Sequence, residues 1–429
     1  PRGIELTKQM TEALHHLDGT RPVTCGVNIF FNFLSSMGFG VYSDSKAEKE
    51  AKAAAKRAAA GKAAPKKKAV GSEFFNNLAG LLGADFMKWG ASLPPCDWKT
   101  KDAFTNMDVA GYNYGINRYE LDLKKYPHRL IVGSETFCSD AYRFYELAKR
   151  EPRLLGDFVW AGMDYLGEVG IGAWEYPDYV PDFSHGPGWI AAGAGRIDLT
   201  GQTQGEALYT RVALDLEKGP LLAVWPVNHT KEKHSPAAWR MSHAIPSWSW
   251  HGCDGEPAMV EIYARAARVE LKLNGQTVGK AAPKNDCVVR IPCTYHDGTL
   301  EAVSYDAAGN ELGRTALRTA DAATELRAVP EAETVRPGGL AFIRLQYTDA
   351  NGTVKPLERG AVTVTVHGGT LLGLGSACTY SERGYLTDTT DTYFGEALAV
   401  IRADADVDTV ELTAAGGTHI GTCRIACKE

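Results

Sequence analysis

No uninterrupted apolar run in this sequence comes near the roughly 20 residues that a membrane-crossing helix needs. An excess of positive charge is missing too: 46 Lys and Arg stand against 52 Asp and Glu, a net charge of −6. The first absence argues against a membrane partner, and the second against nucleic acid. The nine cysteines, at 25, 96, 138, 253, 287, 293, 378, 423 and 427, contain no C-x-x-C pair. Their odd number and scattered spacing exclude a zinc ribbon or a disulfide framework and read as free thiols in a reducing compartment. The signature of disorder is also lacking, because 44% of the 429 residues are hydrophobic and only 23% charged. Pro1-Arg2-Gly3 shows no initiator Met, basic leader or apolar leader. The expectation is therefore an interior stretch of a longer protein, with any targeting signal upstream. Glycine and aromatic residues are plentiful, at 45 residues and 10%, which suits many tight turns and ring-bearing surfaces.

The first half alternates two periodicities. Residues 4–17 place Ile4, Met10, Leu14 and Leu17 on one helical face, and Asp18-Gly19 ends the helix. RPVTCGVN (21–28), MDVAGYNY (107–114), LIVGSET (130–136) and DFVWAGMDYL (157–166) read as strands. Helical patterns at 73–90, 118–129, 140–152 and 205–216 separate or follow them. Strands divided by helices imply parallel β/α units, either half of an eight-unit barrel or a small open sheet. Residues 44–71 are an Ala/Lys-rich insertion, with nine Lys or Arg against two Glu between 46 and 68. It reads as a solvated, partly helical loop insertion rather than a nucleic-acid arm.

After Pro220 helical periodicity disappears. Runs such as PAMVEIYA (257–264), RVELKLNG (268–275), LAFIRLQYTDANG (340–352) and AVTVTVHGG (361–369) alternate apolar and polar residues and end in glycine-containing turns. This pattern predicts two antiparallel β-sandwiches of about 100 residues each, joined near 317–325.

Chemistry in parallel β/α folds sits at the carboxyl ends of strands. Those ends carry Asn28, then Tyr112 and Tyr114, then Glu135, then Trp160 and, beyond it, Glu168. Tyrosines, a tryptophan and a carboxylate on one rim make a sugar-site composition. Aromatic faces pack on the C–H face of a pyranose, and a carboxylate can attack or stabilise an oxocarbenium-like centre.

LIVGSET, preceded by DVAGYNY (108–114) and followed by EPRLLGDFVWAGMDYLGE (151–168), resembles the second half of the catalytic barrel of glycoside hydrolase family 2, which includes β-galactosidases and β-glucuronidases. RPVTCGVN resembles its fifth strand. IPSWSWHG (245–252) with residues 260–279 and 300–320 resembles the immunoglobulin-like module after the barrel, and residues 368–377 with 395–403 resemble a second one. The resemblance implies the second half of a (β/α)8 barrel over 1–218, then immunoglobulin-like β-sandwiches over 219–318 and 319–429. It implies a bacterial, cytoplasmic, retaining exo-β-glycosidase acting on terminal β-linked sugars, with β-galactosidase as the first expectation and β-glucuronidase or β-galacturonidase as the alternative. Glu135 matches the nucleophile, Trp160 the floor of the sugar subsite and Tyr114 the hydroxyl donor to the nucleophile. Tyr112 is a second choice for that donor, and Asn28 and Glu168 are rim candidates. Trp174, Tyr176 and Trp189, in the aromatic loop 168–196, are candidate platforms for the leaving group. No cofactor or metal is implied, since two carboxylates suffice.

The sequence also departs from the family pattern. The family acid/base is a Glu preceded by Asn at the fourth strand, and the only Asn-Glu here is Asn310-Glu311, in the sandwich region. The expectation is an acid/base upstream of Pro1, with the N-terminal half of the enzyme as a partner segment or second chain. A homo-oligomer is left open. The Asn-x-Lys that holds a uronate is replaced by Ala-Gly-Ala within AAGAGRIDLTGQ (191–202), where Arg196 is the nearest cation. A rival reading is a non-catalytic segment that binds carbohydrate or scaffolds through its sandwiches, with SWSWHG as its surface. Two near-adjacent tryptophans in such a module are more often core.

Overall fold

Four parallel strands, β1 (Thr24–Asn28), β2 (Val109–Asn113), β3 (Ile131–Thr136) and β4 (Leu154–Val159), pair side by side in chain order. The computed structural model that shows them describes residues 2–39, 52–57, 59–61, 78–79, 81–174, 176, 179, 188–232 and 238–428. Most of the Ala/Lys-rich stretch 44–71 lies outside the described residues, although 52–57 are helical. The chain divides into two units, Pro1–Ala161 with Pro236–Trp239, and Gly162–Ser235 with Arg240–Glu429.

In the first unit α1 (Arg2–Leu17) precedes β1. The helices α2 (Ile29–Ser36), α3 (Ala84–Ala91) and α4 (Pro94–Thr105) lie between β1 and β2. Single helices α5 (Ile116–Lys125) and α6 (Ala141–Ala148) fill the next two connections. Two of these helices differ from the sequence expectation. α2 begins where Asn28 accepts a hydrogen bond from the Phe31 amide, an N-cap. α4 opens on Pro94 and Pro95, which suit a first turn where amide donors would be unpaired anyway. β4 also starts and ends earlier than expected, and residues 160–166 are not part of the sheet.

A buried polar cluster ties the helix layer to β2. Arg118 donates to Asp97 at 2.9 Å and to Asp122 at 2.5 Å, and Arg129 donates to Asp122 at 3.1 Å. Removing one partner from such a buried group costs about 3–5 kcal/mol, because the other is left charged and unpaired. Helix α1 has the expected apolar stripe, but the stripe faces outward. Thr7 and Thr11 are buried, whereas Met10, Leu14 and Leu17 are 43%, 45% and 81% exposed. Asn106 fixes this orientation by donating to Ile4 O and Thr7 Oγ1.

The second unit holds α7 (Gly205–Ala213), β5 (Leu221–Val224), β6 (Pro257–Tyr263), β7 (Arg268–Leu273), β8 (Gln276–Ala281), β9 (Val288–Thr294), β10 (Thr299–Tyr305) and β11 (Glu311–Arg318). These strands form two sheets, β5-β6-β9 and β11-β10-β7-β8, around one core. The expected boundary at 218 cuts this arrangement. α7 is fastened to the β-region, with Tyr209 donating to Asp286 at 3.0 Å and Arg265 donating to Val212 O at 2.8 Å.

A further core lies between the remaining strands: β12 (Glu325–Pro330), β13 (Thr334–Val335), β14 (Leu340–Thr348), β15 (Ala361–His367), β16 (Gly369–Gly375), β17 (Thr389–Asp391), β18 (Glu396–Ala403), β19 (Thr409–Gly416) and β20 (His419–Cys427). Their sheets run β12-β14-β18-β16 and β13-β20-β19-β15-β17. Inward residues alternate with outward ones, as Ala397, Ala399 and Ile401 show along β18. Trp248 and Trp250 are fully buried in the first of the two cores and donate to His296 O and Ser247 O. SWSWHG is therefore core and not an exposed sugar platform. Replacing either ring by Ala would cost about 3–5 kcal/mol.

Candidate active site

The carboxyl ends of β2, β3 and β4 are joined in one row by their backbones. The Tyr114 amide donates to Glu135 O at 2.7 Å, and the Trp160 amide donates to Thr136 O at 2.9 Å. Glu135 stands in an irregularity between them. Against β2 the register passes from Tyr112–Gly133 to Asn113–Glu135, so β3 carries one extra residue there. Against β4 it passes from Gly133–Asp157 to Thr136–Val159, again with one extra residue on β3. A bulge of this kind re-aims the side chain that follows it and is common where chemistry occurs. Ser134, the inserted residue, donates to Asn113 Oδ1 at 2.7 Å. Gly26 on β1 leaves room for this pair, since a Cβ there would lie 2.7 Å from Asn113 Oδ1.

Tyr114 has φ +55, a left-handed backbone that a bulky residue adopts only when its surroundings hold it. Its ring lies 4.6 Å from that of Phe137, and its hydroxyl accepts a hydrogen bond from Trp239 Nε1 at 2.7 Å. With one lone pair of Tyr114 Oη occupied by that donor, the phenol hydrogen is left to point at an acceptor elsewhere. Trp239 went unnoticed in the sequence. It is a lone ring in a loop far downstream of the strand ends, and no spacing marks it.

Two expected site residues have other duties. Tyr112 is fully buried, stacks on Phe104 at 4.4 Å and donates to Asp122 at 2.5 Å. Side chains alternate along a strand, so Tyr112 enters the helix layer while Asn113 takes the opposite face. Tyr112 is thus a packing residue, and burial raises the pKa of its phenol. Asn28 caps α2 and so serves the helix, not the rim. Just beyond β3, Lys88 and Asp140 form a buried pair at 2.8 Å, with the ammonium 5.7 Å from the centre of the Phe137 ring. Burial pulls the Lys88 pKa down, but attraction to Asp140 outweighs it and keeps the ammonium charged.

The remaining candidates belong to the second unit. Glu168 is exposed, has φ +45 and accepts from the Tyr165 hydroxyl at 2.5 Å. Trp174 is half-buried, edge-on to Trp225 at 5.4 Å and 4.3 Å from the His243 ring. Tyr176 stacks on His229 at 4.0 Å and shares a 2.9 Å hydrogen bond with His243 Nε2. Trp189 is only 6% exposed, with its ring edge against Tyr380 at 5.7 Å. It packs the loop onto the last sandwich, which corrects its expected role as a platform. Residues 175, 177, 178 and 180–187 of this loop lie outside the described residues.

Residues 326–419 match the model of glycoside hydrolase family 2 C-terminal domain 5, and residues 255–313 match a domain of unknown function, DUF4982. Among curated proteins the chain is similar to the β-galactosidase BoGH2A of Bacteroides ovatus, 23% identical over 291 residues that span 66% of this chain and 30% of that protein. It is also similar to a Formosa agariphila protein with a provisional β-glucuronidase name, 28% identical over 230 residues, 52% of this chain and 19% of that one. A solved structure of a glycosyl hydrolase family 2 member from Bacteroides cellulosilyticus superposes with a TM-score of 0.68 at 25% identity, covering 82% of this chain and 47% of the other. The chain spans less than half the length of each of these proteins. In its C-terminal module, in sequence and in fold, the chain is similar to members of glycoside hydrolase family 2.

Proposed function

We propose that the protein containing this chain is a retaining β-glycosidase in which Glu135 is the nucleophile. The observation that carries this reading is the row of Tyr114, Glu135 and Trp160 at adjacent parallel strand ends, with Glu135 re-aimed by the bulge. The carboxylate of Glu135 attacks the anomeric carbon as the aglycone leaves, and water then hydrolyses the glycosyl-enzyme. Trp160 supplies the ring on which the sugar rests. Tyr114, its oxygen engaged by Trp239, turns its hydrogen toward Glu135 and holds the carboxylate in place. The second carboxylate, which protonates the leaving group, comes from a part of the protein beyond these residues. The greater lengths of the relatives support that assignment.

The parallel sheet is read as half of a (β/α)8 barrel. Leu155 and Phe158 of β4, 53% and 64% exposed, and the outward stripe of α1 are apolar surface that the other half would cover. A neutral terminal sugar, galactose first, is favoured over a uronate. Arg196, the nearest cation of the stretch where a uronate clamp would fall, is 9% exposed and lies close enough to buried Glu206 to oppose, in part, the rise that burial imposes on its pKa. The relatives include both a β-galactosidase and a protein named for β-glucuronidase, so the preference rests on the replaced clamp and not on them.

The test is to inactivate the full-length protein with a 2-fluoro-galactoside and map the labelled peptide. Label on Glu135, with turnover abolished in Glu135→Gln, is the expected result. Label on any other residue, or turnover retained in Glu135→Gln, overturns the assignment.

A further inference from the structure

A cleft of about 510 Å³ opens in the second unit, lined by residues from loop 198–204, from both sandwiches and from the segment leading into the first of them. Its volume falls within the roughly 300–1,000 Å³ of small-molecule sites. Nothing in the catalytic reading uses it.

The lining has two characters. At one end Glu396 Oε1 accepts from Gln202 Nε2 at 3.0 Å and from Gln346 Nε2. Glu396 Oε2 accepts no hydrogen bond from any described residue, so an acceptor remains for an incoming hydroxyl. Burial raises the Glu396 pKa. Elsewhere Ile245, Leu317 and Phe394 offer apolar surface.

Charge narrows the ligand further. Asp198 and Glu396 are acidic, and Arg318, the cation of the described lining, is held by Asp349 at 3.1 Å and Thr353 at 2.5 Å. An anionic ligand would meet two carboxyl groups and an engaged guanidinium. A ligand that is uncharged, rich in hydroxyls and apolar on its C–H faces matches both ends of the cleft.

We propose that this cleft is an accessory binding site for a short neutral oligosaccharide, held by Glu396, Gln202 and Gln346 through its hydroxyls and by Ile245, Leu317 and Phe394 through its C–H faces. The site lies within one unit and does not depend on Glu135.

Isothermal titration of the full chain with galactotriose, cellotriose, xylotriose and trigalacturonate tests the proposal. At least one neutral trisaccharide binds with 1:1 stoichiometry and the uronate does not. Ala316→Trp, which fills the cleft from an exposed position on its wall, and Glu396→Gln, which loses a hydrogen bond to a carboxyl group, each weaken binding by at least about tenfold. In Ala316→Trp the labelling of Glu135 in the full-length protein keeps its original rate, which separates failure here from failure of the catalytic reading. No binding of any neutral probe, equal binding of trigalacturonate, or binding unmoved by both substitutions overturns the proposal.

Discussion

Asp349, at the end of β14, offers a quantitative check on the second sandwich. Its side chain is fully buried, and the amides of Asp321, Asn351 and Thr353 donate to it at 3.0, 2.9 and 2.9 Å. Arg318 adds a charged donor at 3.1 Å. Burial alone would push the carboxyl group up, but these donors outweigh it and hold the pKa at about 2, from an ordinary 3.8. A fall of nearly two units is worth about 2 kcal/mol in favour of the folded state. Because the folded value is the lower one, this stability is complete above the unfolded pKa near 4 and is lost as pH falls toward 2. Asp349→Asn keeps the shape but turns an amide NH2 toward donors. At pH 7 the amides around residues 349–353 should therefore exchange roughly 30-fold faster, the equivalent of about 2 kcal/mol. Hydrogen exchange read by mass spectrometry, corrected for intrinsic rates, measures this directly. A change below about threefold would mean that the four donors do not stabilise the turn as argued.

Two further outcomes follow from buried groups. Trp239→Phe removes the donor to Tyr114 Oη and costs about 1 kcal/mol of positioning. The rate at which a 2-fluoro-glycoside labels Glu135 should fall about fivefold, with the fold unchanged by circular dichroism. Glu206, 1% exposed, has its pKa raised by burial from 4.5 to about 7, against the pull of Arg240 and the Met241 amide. Its folded form holds the proton more tightly than its unfolded form, so stability should fall as pH rises from about 4.5 to 7, by up to about 3 kcal/mol. In Glu206→Gln, thermal melts between pH 5 and pH 8 should lose that part of the slope.

Much of the architecture was legible because hydrophobic period is a direct trace of packing. The change from a 3.6 to a two-residue repeat near Pro220 marks where α7 gives way to β5 and the antiparallel strands. What misled was local chemistry with two meanings. Asn28 is a polar residue at a strand end, and it is also a good helix cap; the Phe31 amide decides for the cap. Tyr112 and Tyr114 are equivalent by spacing, but the positive φ of Tyr114 breaks the alternation and the two rings part. The stripe on α1 was visible, yet periodicity says only that a face is apolar and not which neighbour covers it. Glu135 was singled out through family likeness, whereas the bulge beside it depends on register against both neighbours, which no single strand encodes.

The bond between Trp239 and Tyr114 has a practical consequence for dissecting this protein. Trimming the chain after residue 218, where the periodicity changes, would retain every strand of the parallel sheet. It would also delete the indole that reaches back 125 positions to bond the Tyr114 phenol, beside the carboxylate proposed as nucleophile. The excised piece could be well folded and still chemically lame, and supplying residues 219–240 would matter more to it than any change within the sheet.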